Sequence, residues 1–432
     1  MAERPWKKLL AGVNGPTAPK ITKALFDAQV TLAQGRSRPA WAEIDLSAVA
    51  FNAQVLARLV RPAQLCAVVK AHGYGHGGPA VAQAALAGGA IGLAVALVDE
   101  GVELRQHDVH GPILLLSECG PDAVDTAMEH HLTPTLYSPD AVARFVDATR
   151  THGQRTAVHL KVDTGMHRVG APPSEIPALV KSVVDDPMLT FEGLWTHLPV
   201  ADGLEEEDRS FTLGQLDRFD RVRAELAQQG MQAQVVHAAN TAGTIAFPSA
   251  RYDMVRCGIG LYGYLPGAAV RAAFAAAAGG VQLRPAMSLK AQVVSVRTLD
   301  AGERPSYGRH RPLPKRSLVA TVPMGYADGV PRRLFEEGYG VLIGGIRRPL
   351  AGMVTMDQIV VDCGDDDRVQ IGDEVVLLGR QGDQEVTAED WATMLGTISY
   401  EVLCGVGARM PRHAVNAPEA APTGSLMPPV PS

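Results

Sequence analysis

Apolar and polar positions along this chain fall into two successive patterns. From residue 39 to 283, short apolar runs alternate with helical stretches. The runs are "QLCAVVKA", "IGLAVAL", "PILLLSE", "LTPTLY", "TAVHLKVD", "LTFEGLWTHL", "AQVVHAA" and "DMVRCGIGLYG". Between them, apolar residues recur at helical spacing in stretches such as "AVAQAALAGG", "PDAVDTAMEHH", "SPDAVARFVDATRTHG" and "FTLGQLDRFDRVRAELAQQG". Regular strand–helix alternation predicts a parallel sheet. Eight such units over about 220 residues predict closure into a (β/α)8 barrel of the TIM type. An open, doubly wound sheet is the alternative arrangement of the same units. "AWAEIDL", ahead of the first unit, alternates as a strand, and Ser47 is placed to cap the helix after it.

Beyond Arg284 the pattern changes to short alternating runs separated by Gly- and Asp-rich turns. "KAQVVSVRTL", "SLVATVPMG", "GVLIGG", "RPLAGMVTMDQIVVDCG" and "DEVVLLGR" predict a mostly β domain over 284–414. Within it "TAEDWATMLG" predicts a helix, with Thr387 as N-cap and Glu389 and Asp390 in the first turn. The alanine-rich "GAAVRAAFAAAAGG" is a connector or short helix. Residues 1–38 form an N-terminal extension in which "ITKALFDAQVTLAQG" is compatible with a helix. The proline-rich stretch over 415–432 is expected to be disordered.

Bulk properties narrow the function classes. The 432 residues are 46% hydrophobic, enough for two domains with a large core. A net charge of −6 gives no reason to expect nucleic acid or an anionic membrane as partner. The five cysteines are scattered without a CxxC pair, which points to reduced thiols and to a cytoplasmic protein rather than a zinc or disulfide framework. No apolar stretch approaches the roughly 20 residues of a membrane span.

In a barrel of this kind, chemistry gathers at the C-terminal ends of the strands. Lys70 ends the first run, Arg168 follows the fifth, His197 ends the sixth, Asn240 and Thr241 end the seventh, and Arg256 lies in the eighth. A lone histidine is usually a satisfied core residue, and a lone arginine a surface ion pair. Convergence on one face is harder to dismiss. Lys70 at the end of a buried strand is placed to lose its proton and act as a nucleophile. The glycine turns "GYGHG" and "CGIG" let backbone N–H groups approach an anion. No carboxylate pair is set for general acid–base work, and the glycines around His72 and His76 argue against a helical metal site, so no metal is expected. The set suits pyridoxal 5'-phosphate, a phosphate-bearing aldehyde.

From about Pro39 to Pro411 the chain resembles the alanine racemase family. "VVKAHGYGHG" is similar to the family's cofactor-lysine motif, "KVDTGMHRVG" to its substrate-carboxylate arginine segment, and "VRCGIGLYG" to the segment whose arginine meets the pyridine nitrogen. The resemblance implies Lys70 as the cofactor-bearing lysine and first base, and Tyr307 of "RPSYGRH" as the second base. It further implies Arg168 and Met356 at the substrate, and Lys161 where some members carry a carbamylated lysine. Arg256, Gly258, Ile259, Tyr74, His197, Asn240, Thr241 and Tyr400 would contact the cofactor. It also implies a homodimer with shared active sites, and D-alanine made for peptidoglycan. The sequence departs from the family at His72 and Gly73 (usually Asn-Ala), Cys257 (proline), Thr241 (serine) and His310 (often threonine). These changes leave the catalytic residues in place and bear on substrate preference.

The implied chemistry is racemisation by two bases, Lys70 on one face of the substrate carbon and Tyr307 on the other, with Arg168 aiding the tyrosine. An arginine at the ring nitrogen gives up no proton, which limits the ring as an electron sink and disfavours side reactions. Other readings are a serine or broad-range racemase, a decarboxylase on the same scaffold, and a non-catalytic cofactor-binding protein. A decarboxylase would not need Tyr307, and a binding protein would not need the second domain. No basic patch or repeat supports a repressor or a structural protein.

Overall fold

The computed structural model describes residues 38–203 and 205–417; the expected N-terminal helix and most of the expected disordered tail lie outside them. The chain opens on β1 (Ala40–Asp45) and continues through β2 (Gln64–Val68), β3 (Gly92–Val95), β4 (Ile113–Leu115) and β5 (Thr135–Leu136). Then come β6 (Thr156–Lys161), β7 (Leu189–Trp195), β8 (Val235–His237) and β9 (Met254–Cys257). Eight of these strands, β2 to β9, form one parallel sheet in the order β4-β3-β2-β9-β8-β7-β6-β5. Its two ends meet at a bridge, where Thr133 N–H donates to Ile113 C=O at 2.8 Å and Leu115 N–H donates to Thr133 C=O at 2.9 Å. The sheet is therefore a nearly closed barrel, as the alternation predicts. "GYGHGG" and "GIGLYG" both match the G-x-G-x-x-G spacing of a dinucleotide loop. Both lie at the mouth of this barrel, with no open-sheet crevice for a dinucleotide.

The first strand sits elsewhere than the sequence order suggests. β1 pairs antiparallel with β10 (Met287–Gln292) and parallel with β18 (Arg412–Val415), so it belongs to the sheet of the second domain. The reason is legible in its side chains. Its inner half alternates buried with partly exposed positions, whereas β3 and β4 are buried at every position. A strand with one solvated face fits an antiparallel sheet better than a barrel wall. The helix Leu46–Leu59 then leads into the barrel, capped by Asp45 rather than Ser47. Asp45 Oδ1 accepts from Ala48 N–H at 2.9 Å and from the Ser47 hydroxyl at 2.7 Å.

The second domain is mostly β. β11 (Ser295–Leu299), β12 (Ser317–Val322) and β15 (Ile359–Asp362) form a three-stranded sheet. β10, β13 (Gly340–Ile343), β14 (Ile346–Pro349), β16 (Glu374–Gln381) and β17 (Gln384–Val386) join β1 and β18 in the other. "KAQVVSVRTL" thus yields two strands in two sheets. The split is at Val293 and Val294, whose N–H groups donate to Asp373 C=O and Thr321 C=O in different sheets. The predicted helix Ala388–Leu395 is present, with the Thr387 hydroxyl accepting from Asp390 N–H at 3.0 Å.

Asn52 ties the two domains together. It is fully buried, and its amide donates to Leu261 C=O at 3.0 Å and Arg284 C=O at 2.8 Å. Its Oδ1 accepts from Arg284 N–H at 2.8 Å. Asn52→Ala leaves buried backbone groups unpaired, each costing about 1–3 kcal/mol. A chemical denaturation series should show the variant destabilised by about 2–4 kcal/mol, and Asn52→Asp only partly restored.

Candidate active site

At the C-terminal mouth of the barrel lies a cavity of about 530 Å³. The cavity wall includes Lys70, Tyr74, Lys161, Arg168, His197, Asn240, Thr241, Arg256, Gly258, Ile259 and Tyr400. The structure therefore brings these barrel residues together around one cavity. Tyr307 and Met356 are not part of this wall.

Lys70 enters the cavity from an unusual backbone. Ala71, His72, Gly73 and Tyr74 have φ values of 53°, 52°, 64° and 53°, a left-handed turn. For the residues with a Cβ this conformation costs about 1–2 kcal/mol each. Several bonds hold it. Gly73 N–H donates to Val69 C=O at 2.9 Å, and Gly77 N–H to His72 C=O at 2.9 Å. His76, fully buried, sets its Nδ1 at 3.0 Å from Gly73 C=O and 2.9 Å from Tyr74 C=O. Facing two acceptors, that nitrogen carries the proton. Burial pushes the His76 pKa down to about 4, so the ring stays neutral. Arg412 of β18 donates to Gly75 C=O at 3.0 Å, tying the turn to the second domain. Gly75 itself has φ 82°, and a Cβ there would run into Leu403 C=O.

Burial, and then the charge of Arg168, lowers the Lys70 pKa below the usual lysine value. Lys161, on β6, is pushed down to about 7 by burial and by Arg256 and Arg168. Both lysines thus hold more neutral amine near neutral pH than exposed lysines do.

Beneath the cavity the Arg256 guanidinium is buried in the barrel. It donates to Thr196 C=O at 2.9 Å and Ala238 C=O at 3.0 Å, and lies 2.7 Å from His237 Nδ1 and 3.3 Å from His197 Nδ1. Burial lowers its pKa to about 10, which still leaves it a cation. A guanidinium only donates, so both histidine Nδ1 atoms are acceptors. Burial and Arg256 hold both histidines well below the usual pKa, in agreement. His237 then carries its proton on Nε2, 2.9 Å from His159 Nδ1, and His159 Nε2 faces Glu192 at 3.7 Å. Trp195 completes this layer, stacked on His237 at 10°, with Arg256 and Lys161 each 4.4 Å from its ring centre. The sequence reading missed Trp195, His237, His159 and Glu192. Alternation within strands β6 to β8 could have placed them inside the barrel, but pairwise order could not be read.

On the opposite wall, Gly258 N–H donates to the Thr241 hydroxyl at 3.1 Å. A Cβ on Gly258 would collide with the Tyr74 hydroxyl, so glycine leaves a cradle there. Tyr74 stacks near Tyr262 and Tyr400, at 4.8 and 6.0 Å between ring centres. Asn240 lines the cavity with its polar atoms already engaged. Its Oδ1 caps Gly243 N–H at 2.9 Å and its amide donates to Leu198 C=O at 3.0 Å. It holds the turn that presents Thr241 rather than reaching inward.

Tyr307 and Met356 sit on the second domain with bare side chains, 74% and 53% exposed. Their backbones are fixed. The Ser306 hydroxyl donates to Met353 C=O at 2.6 Å, and Met356 C=O accepts from Ala327 N–H at 3.1 Å. Among the described residues, no cluster of His, Cys, Asp and Glu has metal-binding geometry, and no helix is long and apolar enough to cross a membrane.

Comparison with known proteins accounts for both domains. Residues 44–266 match the model of the alanine racemase N-terminal domain, and residues 286–414 that of the C-terminal domain. The alanine racemase of Symbiobacterium thermophilum is 44% identical over 87% of this chain and 97% of its own length. That of Desulforamulus reducens is 42% identical over 87% and 98%. Among solved structures, the alanine racemase of Bacillus anthracis with bound L-Ala-P has a TM-score of 0.80 at 33% identity, over 88% of this chain and 95% of that one. A histidine racemase from Leuconostoc mesenteroides has a TM-score of 0.79 at 28% identity, over 88% and 99%. Two matched domains and near-full-length identity of this order show that the chain belongs to the alanine racemase family.

Proposed function

We propose that the protein is a pyridoxal 5'-phosphate-dependent isomerase that interconverts L- and D-alanine with two bases, and that it supplies D-alanine for peptidoglycan. The observation that carries this reading is the pairing of a desolvated Lys70 amine with the buried Arg256 cation across one cavity. The residues fit the cofactor. The cradle at Gly258 and Ile259, with Thr241, Tyr74 and Tyr400 around it, offers N–H and O–H donors to a phosphate group. Arg256 reaches the cavity as a permanent cation, suited to a ring nitrogen that accepts a hydrogen bond. Pyridoxal phosphate, when bound, supplies an aldehyde for amines and a conjugated ring that acidifies the hydrogen beside a bound amino group.

This chain's own groups then divide the work. Lys70, with its lowered proton affinity, would hold the cofactor through its amine and, when that amine is free, would act as a base at the substrate Cα–H. Arg168 at the cavity wall holds the substrate carboxylate. Arg256, His237 and His197 keep fixed neutral and cationic states, so no proton is delivered to the ring nitrogen from that side. His197 stays uncharged in the cavity wall, where it would lie against a bound cofactor. Lys161, with a pKa near 7, holds enough neutral amine to take up carbon dioxide as a carbamate, which would place a negative charge beside Arg168.

The second base and Met356 come from a second copy of the chain. Within one chain both side chains are bare and away from the cavity wall. The rim of the cavity also carries exposed apolar residues, Leu97 next to Ala96 and Ile398 near Tyr400. A homodimer would cover this rim and bring Tyr307 of the partner subunit to the face opposite Lys70. In cells, a cytoplasmic location is part of the same reading.

Four measurements test it. Borohydride reduction of the purified yellow protein should fix the cofactor on Lys70, and a chiral assay should show alanine racemised in both directions. The histidine racemase neighbour makes it worth running serine and histidine beside alanine. Faster turnover of either would change the substrate. Gly258→Ala should weaken pyridoxal phosphate binding about tenfold or more by displacing Tyr74, with the unfolding midpoint nearly unchanged; a fluorescence titration reads this. Inactive Lys70→Ala and Tyr307→Phe chains, co-expressed, should recover ~25% of wild-type activity, because half the dimers are mixed and each has one intact site of two. Confirmed mixed dimers without activity would mean that both bases come from one chain.

A further inference from the structure

Glu100 lies behind the cavity wall, in the first turn of the helix Val98–Gln106, and lines no part of the cavity. Its carboxylate collects three backbone donors from two segments. Oε1 accepts from Ala71 N–H at 2.6 Å, and Oε2 from Ala96 N–H at 2.8 Å and Leu97 N–H at 3.1 Å. Ala71 opens the left-handed turn that follows Lys70, whereas Ala96 and Leu97 follow β3. The helix that begins after Leu97 has no side-chain cap of its own there. One carboxylate therefore joins a helix start to a strained turn, with all its contacts as acceptor.

We propose that Glu100 is a positioning residue: its carboxylate holds the left-handed turn that aims Lys70 into the cavity and supplies Lys70 with a counter-charge. This deepens the racemase reading and rests on it for the role of Lys70. Three donors and no acceptor surround the carboxylate, so an amide cannot replace it without turning its NH2 toward an N–H. The charge has a second effect. The groups acting on Lys70 are Arg168, which follows β6, Cys404 at the end of the helix Ser399–Cys404, and Glu100. Lys161 on β6 and His197 after β7 belong to the same cluster. Arg168 favours the neutral amine, and Glu100 opposes it. Glu100 thus keeps the amine from becoming too weak a base to take a proton from carbon.

The test uses full-length protein with Glu100→Gln, Glu100→Asp and wild type side by side. Amide hydrogen exchange is read at Ala71, Ala96 and Leu97. Trace acetylation with acetic anhydride across a pH series, after hydroxylamine treatment, gives the pH of half-reaction at Lys70 by peptide mass spectrometry. Glu100→Gln should speed exchange about tenfold or more on one side of the link, at Ala71 or at Ala96 and Leu97. It should also lower the Lys70 midpoint by about half a unit or more, since a negative neighbour has been removed. Glu100→Asp keeps the charge but is one methylene short, so Ala71 should exchange faster while the Lys70 midpoint stays. A Lys70 midpoint unmoved in Glu100→Gln, or amide exchange unchanged in both variants, overturns the proposal. Neither readout uses the cofactor. A colourless protein that gives the expected shifts would count against the racemase reading and leave the role of Glu100 standing.

Discussion

A guanidinium group inside a (β/α)8 barrel must have every donor met, because an unpaired buried charge costs far more than a neutral polar group. Arg256 meets part of this demand, at Nη1 and Nη2, with two backbone carbonyls, His237 and His197, and keeps donor capacity on the cavity side. Among the described residues no carboxylate pairs with it, so its charge is spread over neutral dipoles and the face of Trp195. That choice propagates. It fixes which nitrogen of His237 is protonated, hence which nitrogen of His159 accepts, and so orders the side chains of β6, β7 and β8 across the barrel interior. It also keeps the field at the cavity floor positive. After burial, that field is the largest reason that Lys161 sits so far below an ordinary lysine, ahead of Arg168 and Lys70.

The opposite side of the cavity is built by strain rather than charge. The turn after Lys70 runs left-handed through residues that do not favour it. Such a turn persists only where the surroundings over-determine it. Here they come from three directions: His76 within the loop, Glu100 from the neighbouring barrel helix, and Arg412 from the second domain. The second domain is thus more than an appendage carrying a tyrosine. Through β18 it helps set the backbone that presents the lysine, and through Asn52 and β1 it is joined to the barrel's first helix. A change in domain packing would reach the cavity both through the turn after Lys70 and through Tyr400 in its wall.

The alternation of apolar runs and helices carried the barrel, and the strand ends carried most of the cavity wall. Both follow from periodicity, because burial on two faces and the direction of a parallel strand are local properties of the chain. Lys70, Arg168 and Arg256 could be singled out because a charged group at the end of an apolar run is conspicuous. The change to short alternating runs after Arg284 likewise carried the second domain, and Thr387 marked its helix. Tertiary structure alone decided what depends on partners distant in sequence. β1, ahead of the barrel units in sequence, paired in the other sheet, and "KAQVVSVRTL" divided between two sheets, because the partners that complete a strand's ladder lie far away in sequence. Asn240 turned out to serve its own helix. The left-handed turn, the tautomers set by Arg256 and the carboxylate of Glu100 behind the wall were invisible in one dimension. Each is a matter of which donor faces which acceptor, and the order of residues along a chain does not contain that until the chain has folded.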